Sequence, residues 1–382
     1  MNERRFLAGD FEYRVARRED EPVVRGVLAR VATGGRIQLS FRREPDAFAA
    51  GLGAISHDFV LARYLPDRGT TGEIVGVCER VVRPCFVNGE IRRLPYLAGL
   101  RVIPEFRHRL KVLRGGFEAV RHLLGEPGDL PWSLTSIMSD NAIARRLLSA
   151  NLRGMPRYEP LGELSTFALA AQPRSPAAHA RAGGEAHRAV AADLPALAAL
   201  LMQRGREQQL AGVWNEESLQ ASFAAGGLRI EDFVVLRDGG RLRACAALWD
   251  QSAYRQLVVA GYSSWLARAR PLVNVAARLC GLPRLPPPGG QLRAAYLSHV
   301  AIDGAARDAL PDLVAAARCE AMRRDIPVVL MGWATDDAAA ALLRKLPKQR
   351  EFRSQLYCVR WPDVAAPTLD AKLRLAPELA LL

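Results

Sequence analysis

The chain has 382 residues, of which 49% are hydrophobic and 24% charged, a composition that excludes a disordered or low-complexity chain and suits two domains of ordinary size. No apolar run is long enough to span a bilayer, and Met1-Asn-Glu-Arg-Arg-Phe6 lacks the apolar core of a secretory signal. The net charge of +13 is carried by 49 arginines and only four lysines spread along the chain, the skew of a GC-rich genome, so no nucleic-acid partner is expected.

In chain order, residues 12–18 alternate into a strand, and Asp20 to Ala32 reads as a helix with Val23, Val24, Val27, Leu28 and Val31 near helical spacing. Residues 46–51 suggest a short second helix. Strands follow over 59–64 and 74–82, with a turn at 69–72 between them. Asn88-Gly89 marks a hairpin that returns the chain through 91–103, where Pro104 stops it. A helix over 106–124, a buried strand over 133–138, a helix over 141–150 capped by Asp140, and a strand over 164–170 complete the first half.

Residues 171–186 hold two prolines, two glycines and no apolar periodicity. This sets a linker at 173–186 between a domain over 1–172 and a second over 187–365, with a tail at 366–382. The second domain reads as helix 194–202, strands 233–236 and 244–249, strand 294–302, helix 309–323, strand 328–331, helix 338–346 and strand 355–361. An insertion at 261–290 places Trp265, Leu266, Pro271, Leu272, Val275, Leu279 and Leu282 on an apolar helix face. That face reads either as a packed surface helix or as a wall of a pocket or domain interface.

The halves echo one another. Tyr13-Arg-Val-Ala is matched by His187-Arg-Ala-Val, and Asp58-Phe-Val by Asp232-Phe-Val. Tyr96-Leu pairs with Tyr296-Leu, and Asp140-Asn with Asp336-Asp, in the same order. Four ordered matches predict two copies of one fold. The six cysteines form no CxxC pair and no zinc spacing, so buried reduced thiols and no metal site are expected.

With this order of elements, Leu100-Arg-Val-Ile-Pro-Glu-Phe-Arg-His-Arg-Leu-Lys-Val112 and the later Asn141-Ala-Ile-Ala-Arg-Arg-Leu147 resemble the GNAT superfamily of N-acetyltransferases. The resemblance implies an α/β (α+β) chain of two tandem GNAT-like domains, each a mixed, mostly antiparallel sheet flanked by helices. It implies acetyl-CoA or another acyl-CoA as donor, its pyrophosphate held by the helix start after the fourth strand. On that mapping the donor-binding positions are Leu100, Arg101, Val102, Arg107, His108, Arg109, Leu110, Lys111, Val112 and Asn141. A helix start has unpaired N–H groups and a positive dipole end, which suit a pyrophosphate.

Leu110 and Val112 stand where the family has glycine, and Gly115-Gly116 come too late to serve. Two readings follow: the charge of Arg107, His108, Arg109 and Lys111 offsets the poorer backbone approach, or tight binding has been lost. The second copy has Asp303 and Asp308 in the corresponding loop and is read as lacking a donor site. Of catalytic groups, Glu79 is the best carboxylate, though a solvent-facing strand position fits it too. Leu148 replaces the family's tyrosine, and Tyr158 is either its substitute or a packed loop aromatic. Tyr296 and His299, on the second copy's fourth strand, read as structural.

The expected function is acyl-CoA-dependent transfer to an amine of a small molecule or peptide. The alternative is a non-catalytic GNAT-fold binding or regulatory module. A cytoplasmic, bacterial protein with no membrane partner is expected.

Overall fold

The computed structural model describes residues 5–32, 35–51, 53–66, 72–173 and 186–382. Most of the expected linker, and most of the turn at 69–72, lie outside the described residues. The first half contains β1 (Arg5–Ala8), β2 (Phe11–Val15), α1 (Glu21–Arg30), β3 (Ile37–Arg42), β4 (Ser56–Tyr64), β5 (Glu73–Val87), β6 (Glu90–Val102), α2 (Leu110–Leu123), β7 (Ser133–Met138), α3 (Ala142–Leu148) and β8 (Arg157–Ala170). The second contains β9 (Ala186–Arg188), α4 (Leu194–Arg206), β10 (Gln208–Gln209), α5 (Glu216–Ala224), β11 (Phe233–Asp238), β12 (Arg241–Trp249), β13 (Gln256–Tyr262), α6 (Ser264–Leu279), β14 (Ala295–Ile302), α7 (Leu310–Arg323), β15 (Val328–Ala334), α8 (Ala338–Leu343), β16 (Gln349–Arg360) and β17 (Arg374–Leu375).

Thirteen strands form one sheet in the order β1-β2-β4-β5-β6-β7-β16-β8-β15-β14-β12-β11-β9. The middle of that order is an exchange. β16, from the second half, pairs with β7, and β8, from the first half, pairs with β15. The two exchanged strands then pair with each other, from Arg157↔Arg360 to Leu169↔Gln349. Each half therefore finishes its sheet with the other half's last strand, and Leu164, Phe167, Leu169 and Leu356 are fully buried there. Removing so much apolar surface from water is the main stabilising term at this junction.

The hairpin at Asn88-Gly89 forms as expected, both residues having positive φ (54° and 79°) as a primed turn requires. Gly115 and Gly116 have a packing role. A Cβ on Gly115 would meet the Tyr13 ring at 2.5 Å, so glycine lets α2 lie against β2.

Several elements depart from the sequence reading. The short helix expected at 46–51 forms as a 3-10 helix over 47–51, and β8 begins at Arg157, so Tyr158 lies in a strand and not a loop. Asn141, not Asp140, caps α3 by accepting the Ala144 N–H at 3.2 Å. β3 and β13 stand outside the main sheet and pair with each other across the two halves (Leu39↔Val259, Phe41↔Leu257), β13 also bridging to Gln291. Such a long-range pairing leaves little local signal. The helix of the insertion also forms as α6, but its apolar face is turned outward. Leu266 is buried, whereas Trp265, Leu272, Val275 and Leu279 are exposed.

Candidate functional site

The site begins where two strands part. β6 and β7 run parallel and pair at Tyr96↔Leu134, after which they diverge toward their C-terminal ends. β14 and β15 repeat this at Ala295↔Val329 and Tyr296↔Leu330. In each half the tyrosine of the echoed Tyr-Leu pair thus stands at the mouth of a wedge. In the first half the throat is pinned by Tyr96 Oη and Ser136 Oγ at 2.8 Å, and by Thr135 Oγ1 donating to the Leu97 carbonyl at 2.7 Å.

A β-bulge sits beside each wedge. The β5–β6 register shifts between Val77↔Arg101 and Glu79↔Ala98, and Gly99 there has φ +58°. The β12–β14 register shifts between Cys245↔Ala301 and Ala247↔Ser298, and His299 there has φ +52°. Bulges re-aim backbone groups and side chains, and the left-handed conformation suits glycine.

Glu79 lies directly against the first bulge. A Cβ on Gly99 would come within 3.2 Å of both the Cβ and Oε2 of Glu79. The carboxylate is 3% exposed, so the solvent-facing reading is wrong: the strand turns this acid inward. It accepts from Arg43 Nη2 at 3.0 Å and lies 2.9 Å from His57 Nε2, while His57 Nδ1 faces the Phe48 carbonyl at 3.2 Å. Burial alone would push the carboxyl up. Arg43 and His57 outweigh it and hold Glu79 well below the usual carboxylate range. A carboxylate so held is a weak proton acceptor and a strong counter-charge.

On the opposite face of β5, burial pushes the Cys78 thiol up to about 12. Cys78, Leu100, Val102, Leu113 and Phe117 help line a small apolar void between the sheet and α2. Tyr158 is buried between Phe117 and Tyr357, at ring distances of 6.2 and 5.9 Å. Burial raises its hydroxyl well above the ordinary tyrosine range, with Cys78 adding to the effect, so it gives up a proton reluctantly. Leu148 is buried in the same cluster.

The helix start after β6 carries the remaining predicted residues. Arg107 donates from Nε to the Val102 carbonyl at 3.2 Å, and Arg109 stacks over Phe106 (4.6 Å) and Tyr64 (5.1 Å). His108 and Lys111 are exposed. Val112 is buried in one apolar cluster and Leu110 packs against another, so both of the residues that replace glycine turn their side chains into the core. The first-turn N–H groups of α2, with these cations around them, retain the chemistry of an anion site. Arg101 turns elsewhere, over the Phe41 ring at 5.8 Å. Asn141 is engaged as the cap of α3, as Asp337 caps α8 in the second half.

The second wedge differs at each of these points. Ala247 stands where the first half has Glu79. The His299 N–H at the bulge donates to Glu378 Oε2 at 2.9 Å. The 3-10 turn Leu379–Leu381 packs against β14, and a Cβ on Gly332 of β15 would meet Leu379 Cβ at 3.0 Å. The chain's own 378–382 segment therefore lies in this wedge. α7 has Pro311 in its first turn, which removes an N–H donor, and Asp312 adds negative charge. Burial lowers His299 to about 3, among Trp214, Phe233 and Trp249.

No protein-family model and no curated protein matches the chain. Solved structures do. Saccharomyces cerevisiae N-myristoyltransferase with bound myristoyl-CoA aligns over 97% of this chain and 90% of its own, at 11% identity and TM-score 0.60. A GCN5-related N-acetyltransferase from Sphaerobacter thermophilus aligns over 96% of this chain and 100% of its own, at 14% identity and TM-score 0.54. The chain has a tandem GNAT fold. A glucosamine N-acetyltransferase region of a fungal multi-domain β-N-acetylglucosaminidase matches as well, over 93% of this chain and 38% of its own, at 14% identity and TM-score 0.59. In this GNAT pair the Asp-Phe-Val echoes begin equivalent strands, β4 and β11, and the Tyr-Leu echoes lie on β6 and β14, whose partings from β7 and β15 are the two wedges. Among the described residues no helix is long and apolar enough to cross a membrane.

Proposed function

We propose that the chain transfers an acyl group from acyl-CoA to an amine, using the wedge of its first half. The observation that carries this reading is the placement of a buried, ionised Glu79 against the Gly99 bulge, beside an open wedge and a cationic helix start. The myristoyl-CoA bound by the yeast structural neighbour supports acyl-CoA as the donor class.

In this reading the pyrophosphate lies at the start of α2, near Arg107, Arg109 and the first-turn N–H groups. The thioester lies in the wedge, where the bulge frees backbone N–H groups to face a developing oxyanion. The acceptor comes from the Glu79 side of the sheet. Glu79 attracts and orients the acceptor's ammonium. After that group gives a proton to solvent water, the neutral nitrogen attacks the thioester carbon. The C–N bond forms, the C–S bond breaks, and the leaving thiolate takes the proton that the new amide nitrogen sheds. Glu79 serves as a counter-charge more than as a strong base, and Tyr158 has no obvious part as acid. The second half contributes sheet, exchanged strand and chamber wall.

The test is free-thiol release from acetyl-CoA and longer acyl-CoAs with a panel of amines. Wild type should turn over, and Glu79→Gln should lower kcat/KM by on the order of a hundredfold, as removal of a positioning charge does. Full activity in Glu79→Gln would overturn the role of that residue. Absence of turnover with any donor, despite tight acyl-CoA binding, would favour the non-catalytic module.

A further inference from the structure

The surroundings of Glu79 hold more positive charge than its carboxylate balances. Arg43, Arg83 and Arg101 reach it from the first half and Arg255 from the second, all within electrostatic reach of Glu79 or of one another. Glu79 is the one side-chain carboxylate that acts strongly on Arg43, Arg83 and Arg101. Three of the four guanidinium groups are engaged. Arg43 pairs with Glu79 at 3.0 Å. Arg255 donates to the Ala380 carbonyl and to a main-chain oxygen of Leu382, each at 2.8 Å, and to Gln251 Oε1 at 3.2 Å. Arg101 donates to the Leu100 carbonyl at 3.0 Å.

Arg83 is different. It has no hydrogen bond or ion pair to any described residue, and its Nε is buried without a partner. It stands on β5 four residues after Glu79, hence on the same face of the strand. Burial lowers its pKa to about 10, and Arg255 adds to that. A partly buried guanidinium with no protein partner has its planar fork left for a carboxylate or phosphate.

We infer that the acceptor is zwitterionic: its amine meets Glu79, and a carboxylate or phosphate on the same molecule meets Arg83. This rests on the acyl-transfer reading for the identity of the site. The anion requirement rests on Arg83 alone. A chamber built only for a plain amine would have no use for an unpaired cation beside its one carboxylate. A chamber for a compound with both charges needs one of each, on one face.

The experiment uses the full chain, acetyl-CoA and matched acceptors. One pair is an amino acid and its amide; the other is an aminoalkyl phosphate and the corresponding amino alcohol. The two pairs distinguish carboxylate from phosphate. Wild type should prefer the anionic member of at least one pair by at least tenfold in kcat/KM. Arg83→Gln should bring that ratio close to one, and Arg83→Lys should keep part of it. The melting temperature of Arg83→Gln should equal or exceed that of wild type, because a partly buried charge with no protein partner has been removed. Calorimetry of the same acceptors without acetyl-CoA gives a readout independent of turnover. Binding of anionic acceptors to wild type but not to Arg83→Gln, without turnover, upholds the inference while the acyl-transfer reading fails. Equal use of both members by wild type, a preference that survives in Arg83→Gln, or a sharp fall in its melting temperature overturns the inference.

Discussion

Glu79 and Ala247 hold one position in the two halves: Glu79 pairs with Phe59 across β4 and β5, and Ala247 pairs with Phe233 across β11 and β12. Both phenylalanines are fully buried, so the frame is the same and the side chain facing the bulge differs. The same holds one strand further on, where Gly99 and His299 share the bulge. One copy keeps a charge and an open bulge. The other has a methyl group and a bulge whose N–H is satisfied by Glu378.

The bulge glycine yields the first prediction. Gly99→Ala places a Cβ 3.2 Å from the Glu79 carboxylate in a left-handed backbone. It should cost about 1–2 kcal/mol of stability, measured by denaturant unfolding. Transfer should fall further than stability, by roughly tenfold to a hundredfold in kcat, because Glu79 is displaced. An alanine variant with wild-type kcat would separate the bulge from the chemistry.

A pH effect follows from His299, which burial lowers to about 3 in the folded protein. Between its unfolded value, about 6.5, and that folded value, the unfolded chain takes up a proton that the folded chain refuses. Stability therefore falls as the pH drops through this window, by up to about 1.4 kcal/mol per pH unit for this one proton. Glu378, raised by burial above its ordinary value of 4.5, opposes the trend in the part of the window just above that value. His299→Asn tolerates the left-handed backbone and should flatten the slope of unfolding free energy between pH 6.5 and 4.5. An unchanged slope would show that His299 is solvated.

Strand exchange gives the third. A chain cut at residue 172 keeps β8 but loses both of its partners, β15 and β16, and leaves β7 without β16. Such a fragment should aggregate or bind a hydrophobic dye, and co-expression with 173–382 should rescue it. A soluble, monomeric fragment with native stability would contradict the exchange as a stabilising feature.

Much of the frame was legible in the sequence because it is local or repeated. Asn88-Gly89 sets its own turn, and the echoed Asp-Phe-Val and Tyr-Leu pairs fall at equivalent registers. Glu79 stood out as an acid among Val75, Val77 and Val81, yet its burial depended on Arg43 and His57, which no periodicity connects to it. Long-range features stayed hidden for the same reason. The exchange of β8 and β16, the β3–β13 pair and the 378–382 segment in the second wedge each join residues far apart in the chain. Arg83 read as one arginine among 49. Only its unpaired place beside Glu79 distinguishes it.

The central claim is one donor site per chain, in the first wedge. Isothermal titration of the full chain with acetyl-CoA tests it most directly, beside a variant with Arg107 and Arg109 both replaced by Ala. Wild type should bind with a stoichiometry of one. The double variant should bind at least about tenfold more weakly, each charge-assisted hydrogen bond contributing about 1.5–3 kcal/mol. Two equal sites, no binding, or an unchanged affinity in the double variant would contradict the account.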